Sequence, residues 1–259
     1  MTLEIVVGGA ARFGIALGPA QLGLMARFVA LLLDRNQRLN LTRIVEPGEI
    51  ERRHLLDSLT CALPVLAERP LPLPSSPPLA GEGSVLAGWS CIDVGSGGGL
   101  PGIPLAIAFP GLRMTLLESA GKKAAFLQEV VAELGLANVS VRTGRAEEAA
   151  RDSGERDGYD LVVARALAPL PVALELCLPF ARPGGLVVLP RGSDLAGQVA
   201  DGEAAAEQLA GRLRPPIALD DPELPPGRSL VVADKLGATP ARFPRRPGVA
   251  AKRPLPLHS

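Results

Sequence analysis

Four glycines fall within five residues of this 259-residue chain, in the stretch CIDVGSGGGLPGIPLAI that begins at Cys91. An apolar run ending in Asp93 and Val94 precedes them, and a proline-containing apolar segment follows. Glycine at this density costs backbone entropy, so the loop favours close approach of a ligand over a plain tight turn. A buried strand, a glycine loop and a helix in this order are typical of the ligand-binding edge of an open α/β sheet.

Short apolar runs and helical segments alternate from residue 90 onward, which predicts a mostly parallel sheet with helices on both faces. The predicted strands are 91–94, 113–117, 139–142, 159–164, 186–189, 216–219 and 229–233. The predicted helices are 102–109, 122–134, one that ends across 174–180, and 194–213. We therefore expect an α/β fold with a doubly wound, Rossmann-like, seven-stranded sheet.

Four regions are expected along the chain. They are an N-terminal helical cap (1–70), a Pro/Ser/Gly-rich linker (71–88), the α/β domain (89–235) and a basic Pro-rich tail (236–259). Apolar residues at helical spacing in 19–40 and 47–68 predict the two helices of the cap. The tail contains no acidic residue, and its prolines predict an extended basic strap that suits a phosphate backbone.

Two glycine registers overlap in the loop. G-x-G-x-x-G from Gly97 is the dinucleotide fingerprint, whereas G-x-G-x-G from Gly95 suggests a different nucleoside cofactor. Asp93 directly ahead of the loop disfavours a pyrophosphate and suits a sulfonium and an ammonium group. Pro101 removes an amide hydrogen that a phosphate would use. Glu118, at the end of the second strand, suits ribose hydroxyls in either case. The predicted cofactor is S-adenosylmethionine (AdoMet).

Composition bounds the partners and the compartment. Basic and acidic residues number 27 each, so an anionic partner must be held by a local patch. The three cysteines are few and widely spaced, which argues against disulfides and structural zinc, and no metal is expected. No apolar run reaches the roughly 18 residues of a membrane span. Glu4 argues against a signal peptide, so we expect a cytoplasmic protein.

Eight motifs spread over nearly the whole chain are similar to those of one known family. The motifs are LNLTRI (39–44), RHLLDSL (53–59), DVGSGGGLPGIPLAI (93–107), LLESAGKKAAFLQEV (116–130), GRAEE (144–148), YDLVVARALAPLP (159–171), LPFARPGGLVVLPRG (178–192) and RFPRRPGVAAKRPL (242–255). They resemble the bacterial small-subunit methyltransferase G family, also called glucose-inhibited division protein B. The resemblance implies a class I AdoMet-dependent methyltransferase that methylates N7 of a guanine, expected to be guanine 527, in 16S ribosomal RNA.

Roles for single residues follow from the same resemblance and from charge. Cofactor contacts are expected from Gly95, Gly97, Leu100, Glu118, Ala146, Glu147 and Arg165. RNA contacts are expected from Asn40 and His54 in the cap and from Arg245 and Arg246 in the tail. The expected partner is 16S ribosomal RNA or the small ribosomal subunit. No membrane or obligate protein partner is expected, and the chain is expected to be a monomer.

The chemistry of guanine N7 limits what the site must do. N7 has an in-plane lone pair and no proton, so its methylation needs alignment rather than a general base. Arg165, after the fourth strand, is the predicted catalytic residue, donating to guanine O6 or to a phosphate. Its alternative role is a structural ion pair with Asp160 or Asp93. His54 can equally be a buried core residue, and Asn40 a helix cap.

Other functions stay open from the residues alone. An AdoMet-dependent methyltransferase of a small molecule or a protein would be active without RNA. A non-catalytic nucleotide-binding module would bind AdoMet or NAD and turn nothing over. An NAD oxidoreductase is the weakest alternative, because Asp93 and Pro101 both disfavour a pyrophosphate at the loop.

Overall fold

The computed structural model describes residues 2–68 and 86–256, and a central sheet organises them. Its strands are β1 Ser90–Val94, β2 Arg113–Glu118, β3 Val139–Thr143, β4 Tyr159–Val163, β5 Ala181–Arg191, β6 Gly211–Leu213, β7 Ile217–Ala218 and β8 Ser229–Lys235. The strand order is β3-β2-β1-β4-β5-β8-β6, and the two-residue β7 pairs with β8. β1 to β5 are parallel, while β8 runs antiparallel to its three neighbours. The mostly parallel, doubly wound sheet is confirmed. It has eight strands rather than seven, because β6 was not predicted.

Helices cover both faces of the sheet. They are α1 Glu4–Arg12, α2 Pro19–Leu39, α3 Pro47–Ile50, α4 Asp57–Leu59, α5 Leu63–Glu68, α6 Gly102–Ala108, α7 Gly121–Leu134, α8 Ala146–Ala149, α9 Leu170–Cys177, α10 Val199–Gln208 and α11 Val249–Lys252. Alternate residues of a strand enter opposite cores: Leu161 and Val163 pack with α6 and α7, and Val162 packs with α9 and α10. Gly135, at φ 63°, ends α7 as predicted.

The N-terminal helices pack against α6 and α7. Gln21 donates to the Ala108 carbonyl at 2.8 Å. The segment predicted as one helix at 47–68 is helical throughout, but a π-helical turn at Glu51–Leu56 and a 3₁₀ turn at Thr60–Ala62 interrupt it. The Glu51 carboxylate accepts from the Ile5 amide at 2.9 Å, which anchors the unpredicted helix α1. No helix in residues 2–68 or 86–256 is long and apolar enough to cross a membrane.

The predicted linker at 71–88 lies outside the described residues except for 86–88, and the four-region division stays a prediction. The predicted boundary near Gly211 is wrong. The helix expected over 194–213 is a 3₁₀ segment, Ser193–Gln198, followed by α10, and its last three residues form β6. Ala210 has φ 57°, which ends helical geometry. Gly211 then pairs with Lys235 of β8.

The C-terminal segment differs from the extended strap that its composition predicts. Phe243 and Leu255 are buried with the side chains of α9 and β5 in one core cluster. Arg156 donates to the Phe243 carbonyl at 2.8 Å. The short helix α11 lies between these two anchors. Apolar burial therefore folds this segment back onto the α/β domain, an outcome that its proline and arginine content does not signal.

Candidate active site

The glycine loop lies where the strand order reverses, between the carboxyl ends of β1 and β4. Gly95, Gly97 and Gly99 have φ values of 74°, 56° and 87°, a region that side chains disfavour. A Cβ atom on Gly95 would lie 2.7 Å from a methyl carbon of Leu167, in the loop after β4. A larger residue at position 95 would have to displace the Leu167 side chain and adopt a backbone conformation that favours glycine.

Glu118, at the end of β2, holds the glycine loop. Its carboxylate accepts from the Gly97 amide at 2.9 Å and from the Ala120 amide at 2.7 Å. The side chain is buried, yet each oxygen keeps a lone pair for a further donor. Leu100, at the end of the loop, is buried in the core.

Asp93 is a fully buried carboxylic acid beneath the glycine loop. One carboxyl oxygen accepts from the Gly102 amide at 3.0 Å, and the other, Oδ1, has no hydrogen-bond partner among the described residues. Burial raises the pKa of Asp93 from 3.8 to about 7, although the Gly102 amide and Ser96 act in the opposite direction. A buried carboxyl group with one unmatched oxygen is suited to a cationic ligand.

Replacing Asp93 with asparagine is expected to change how stability depends on pH. Between about pH 4 and 7 the unfolded chain ionises Asp93 while the folded chain keeps the proton, so wild-type stability falls as pH rises. The asparagine variant lacks this loss. From pH 5 to 8, the free energy of unfolding of the variant minus that of the wild type should increase by roughly 2–3 kcal/mol. Urea denaturation of both proteins at each pH measures the difference, and parallel pH curves would contradict the prediction.

One pocket opens beside the glycine loop, and a second opens beside the loop after β4. The first, which we term the glycine-loop cleft, is lined by residues that include Gly95, Leu117, Ala146, Glu147, Leu167 and Ala251. It brings together three predicted cofactor residues: one from the glycine loop and two from α8. The Glu147 carboxylate accepts from the Gly248 amide at 3.0 Å, so it holds the C-terminal segment at this cleft.

The second pocket, the arginine pocket, is lined by residues that include Arg53, His54, Asp57, Arg165, Arg191 and Arg228. Asp57 is 1% exposed and joins two of the arginines. Its carboxylate accepts from Arg165 at 3.2 Å and from Nε of Arg228 at 2.8 Å. One carboxylate among four guanidinium groups leaves the pocket with excess positive charge, which suits an electronegative ligand.

His54 is neutral at physiological pH. Burial, together with the nearby Arg165, lowers its pKa to about 4. Its Nδ1 lies 3.4 Å from Nη2 of Arg165, and its Nε2 lies 2.7 Å from the Thr42 hydroxyl. Because an arginine can only donate, Nδ1 accepts and Nε2 carries the hydrogen. His54 therefore links the loop after α2 to Arg165.

The loop after β4 separates the two pockets. Arg165 and Ala166 line the arginine pocket, and Leu167 and Ala168 line the glycine-loop cleft. Ala166 has φ 52°, a left-handed conformation that costs an alanine about 1–2 kcal/mol. This turn lets consecutive residues face different pockets, and strain of this kind is typical of functional sites.

The other predicted site residues lie apart from the two pockets. Asn40 ends α2 in a left-handed conformation, with its amide bonded to the Asn36 carbonyl. Arg245 pairs with the buried Glu175, and Arg246 is exposed. The ion-pair partner of Arg165 is Asp57, whereas the sequence suggested Asp160 or Asp93. The RNA-contact roles of Asn40, Arg245 and Arg246 stay predictions.

Sequence reasoning missed Arg228 and the C-terminal residues of the cleft. Arg228 precedes β8 and reaches Asp57 across 171 residues of sequence. Its proline-rich neighbourhood indicates only a turn. Ala250 and Ala251 carry no functional group that could mark them. Asp57 had a signal, because it belongs to the RHLLDSL motif at 53–59.

Comparison with known proteins identifies the family of this chain. A family model described as rRNA small subunit methyltransferase G (GidB) matches residues 21–70 and 81–213. The ribosomal RNA small subunit methyltransferase G of Roseiflexus sp. (strain RS-1) is 41% identical over 253 residues, covering 98% of this chain and all of that protein. The protein of that name from Pelotomaculum thermopropionicum is 40% identical over 252 residues, covering 97% and 98%. Among solved structures, a mutant of MtNAS in complex with S-adenosylmethionine has a TM-score of 0.52 at 17% identity, covering 83% of this chain and 76% of that one.

The strand order and the glycine loop at its switch point define the Rossmann-like fold of class I methyltransferases. Sequence similarity then narrows the class. The chain belongs to the rRNA small subunit methyltransferase G family. The family resemblance and the enzyme class predicted from the sequence motifs are confirmed.

Proposed function

We propose that the protein transfers a methyl group from AdoMet to N7 of a guanine in 16S ribosomal RNA. The observation that carries this proposal is the pair of adjoining pockets on either side of the loop after β4. One pocket, beside the glycine loop, suits the donor, and the other, lined by arginines, suits a guanine with its phosphate. Consecutive residues of one loop then hold donor and acceptor close together, as a direct transfer requires.

The residues around the glycine loop fit AdoMet. Asp93 lies beneath the glycine loop with an unmatched carboxyl oxygen that suits a cationic group, and Glu118 has lone pairs for ribose hydroxyls. Leu117, Leu167 and Ala146 supply apolar surface for a flat adenine ring. When bound, AdoMet supplies the electrophilic methyl group of its sulfonium.

The arginine pocket provides orientation without a base. His54 is neutral, but its Nδ1 is occupied by Arg165 and its Nε2 by Thr42. The Asp57 carboxylate is occupied by Arg165 and Arg228. Guanine N7 has no proton to lose, so a pocket of donors is sufficient for its alkylation. Arg165 is assigned to guanine O6 or to the adjacent phosphate, which leaves the N7 lone pair free.

Exposed basic side chains on the described surface suit an RNA backbone. They include Arg38, Arg43, Lys122, Arg246, Lys252 and Arg253. Phosphate contacts of this type position an RNA without reading its sequence. A ribosomal substrate also implies action in the cytoplasm.

Methyl transfer from labelled AdoMet to small ribosomal subunits tests the proposal, using subunits from cells that lack this protein. We expect label in the RNA, and nucleoside analysis should identify it as N7-methylguanosine. Subunits already methylated by the protein are the control and should accept none. Label at another position of the RNA would reject the N7 assignment alone. Binding of AdoMet with no transfer to RNA would instead favour a small-molecule or protein substrate.

A further inference from the structure

One wall of the glycine-loop cleft comes from the C-terminal segment rather than from the loops at the strand ends. Gly248, Ala250 and Ala251 line the cleft together with Gly95 and Leu167. Ala250 is buried, whereas Ala251 is exposed at the rim. Their side chains add small apolar surface on the side of the cleft that the sheet does not cover.

Two buried carboxylates hold this wall in place. Glu175, on α9, is 0% exposed and accepts from the Arg245 amide at 3.0 Å and from its Nε at 2.8 Å. Glu147, on α8, accepts from the Gly248 amide at 3.0 Å. Burial alone would raise the pKa of Glu147, but the bond from Gly248, with further donors, keeps it lowered. Buried carboxylates are costly without donors, so each binds the segment firmly.

We propose that residues 245–251 form a wall of the AdoMet site, packed against the adenosyl moiety, with Glu147 and Glu175 as positioning residues. This inference rests on the proposed function, because it takes AdoMet as the occupant of the cleft. The small side chains of Ala250 and Ala251 leave room for a ligand beside this wall. Glu147 acts through Gly248 and sets the distance between this wall and Gly95 on the other side.

Replacing Ala251 with tryptophan is the direct test. The indole would fill the cleft beside Gly95, so calorimetry without RNA should show AdoMet binding at least about tenfold weaker, or ~1.4 kcal/mol. Ala241→Trp is the matched control, since Ala241 is exposed in the same C-terminal region and does not line the cleft. Its AdoMet affinity should equal that of the wild type. If both variants bind AdoMet with equal affinity, the proposal that residues 245–251 form a wall of the AdoMet site is wrong.

Amide hydrogen exchange of the wild-type protein gives a second test that does not depend on a variant folding. The Lys252 and Arg253 amides donate to the Gly248 and Val249 carbonyls in α11. If AdoMet contacts this segment, a concentration 100-fold above its Kd should slow local opening by up to about 100-fold. Amides of α1 provide the control and should exchange unchanged. Unchanged exchange in α11 with AdoMet bound would count against the wall.

The positioning role of Glu147 is separable from a general effect on the fold. Glu147→Ala should raise the KM for AdoMet severalfold more than it lowers kcat, because the wall affects binding of donor and transition state alike. Glu147→Gln keeps an oxygen that accepts from Gly248 and should restore most of the affinity. A wild-type protein that binds no AdoMet would instead reject the proposed function itself.

Discussion

Replacing Asp57 with asparagine is expected to lower the free energy of unfolding by about 3 kcal/mol. The Asp57 carboxylate is buried and accepts from both Arg165 and Arg228. Neutralising it leaves two guanidinium groups close together, each largely withdrawn from water, with no carboxylate between them. The expected loss lies at the low end for broken buried pairs, because both arginines retain some exposure. Equilibrium urea unfolding measures it.

Asp34→Asn is the matched control for this prediction. Asp34 also pairs with an arginine, Arg35, but its side chain is 63% exposed, so the change should cost less than about 1 kcal/mol. Adding Arg228→Met to Asp57→Asn removes one of the unpaired cations and should recover at least about 1 kcal/mol. Equal losses for Asp34 and Asp57, or no recovery in the double variant, would show that the charges of this cluster do not determine its stability.

The parts of the fold that sequence predicted are those encoded by local patterns. The apolar runs at β1 and β4 and the glycines between β1 and α6 carry their own signals, because parallel strands are buried on both faces. The boundary near Gly211 does not, since it depends on pairing with Lys235 in β8. The π-helical turn at Glu51–Leu56 likewise has no signal of its own, because the apolar residues around it keep helical spacing. Contacts between residues far apart in sequence determine such elements, and the propensities of single residues cannot predict them.

The residues of the site likewise divide into those with a local sequence signal and those without one. Asp93, Gly95 and Glu118 could be predicted because motif and strand position place them at one edge of the sheet. The C-terminal wall of the cleft could not be predicted, because the contact between Arg245 and Glu175 that holds it spans 70 residues of sequence. The residues that this contact brings to the cleft are alanines, which carry no functional signal. Basic residues in that segment suggested an RNA-binding strap, whereas its buried Phe243 fixes it against the α/β domain.

Replacing Arg165 with alanine is expected to lower kcat/KM for methylation of ribosomal RNA by at least about 100-fold. Arg165 is held by Asp57, His54 and the Arg53 carbonyl, so its guanidinium is fixed before any substrate arrives. In the proposed function this preorganised donor contacts guanine O6 or a phosphate, and it contributes most when the base must be aligned with the methyl group. AdoMet affinity should change little, because Arg165 lines only the arginine pocket. Arg212→Ala, at a 67% exposed side chain on β6, should leave methylation unchanged.

Arg165→Lys separates a role toward substrate from a purely structural ion pair. Lysine keeps the charge opposite Asp57, so stability in urea should recover most of what the alanine variant loses. The planar guanidinium of arginine can contact Asp57 and His54 and still offer a donor to the substrate, whereas the single ammonium group of lysine cannot do all three. Methylation by the lysine variant should therefore stay at least about tenfold below that of the wild type. Recovery of activity together with stability would assign Arg165 a structural role, the alternative that its sequence position allowed. Low activity in a stable lysine variant that still binds AdoMet would place the defect in alignment of the guanine.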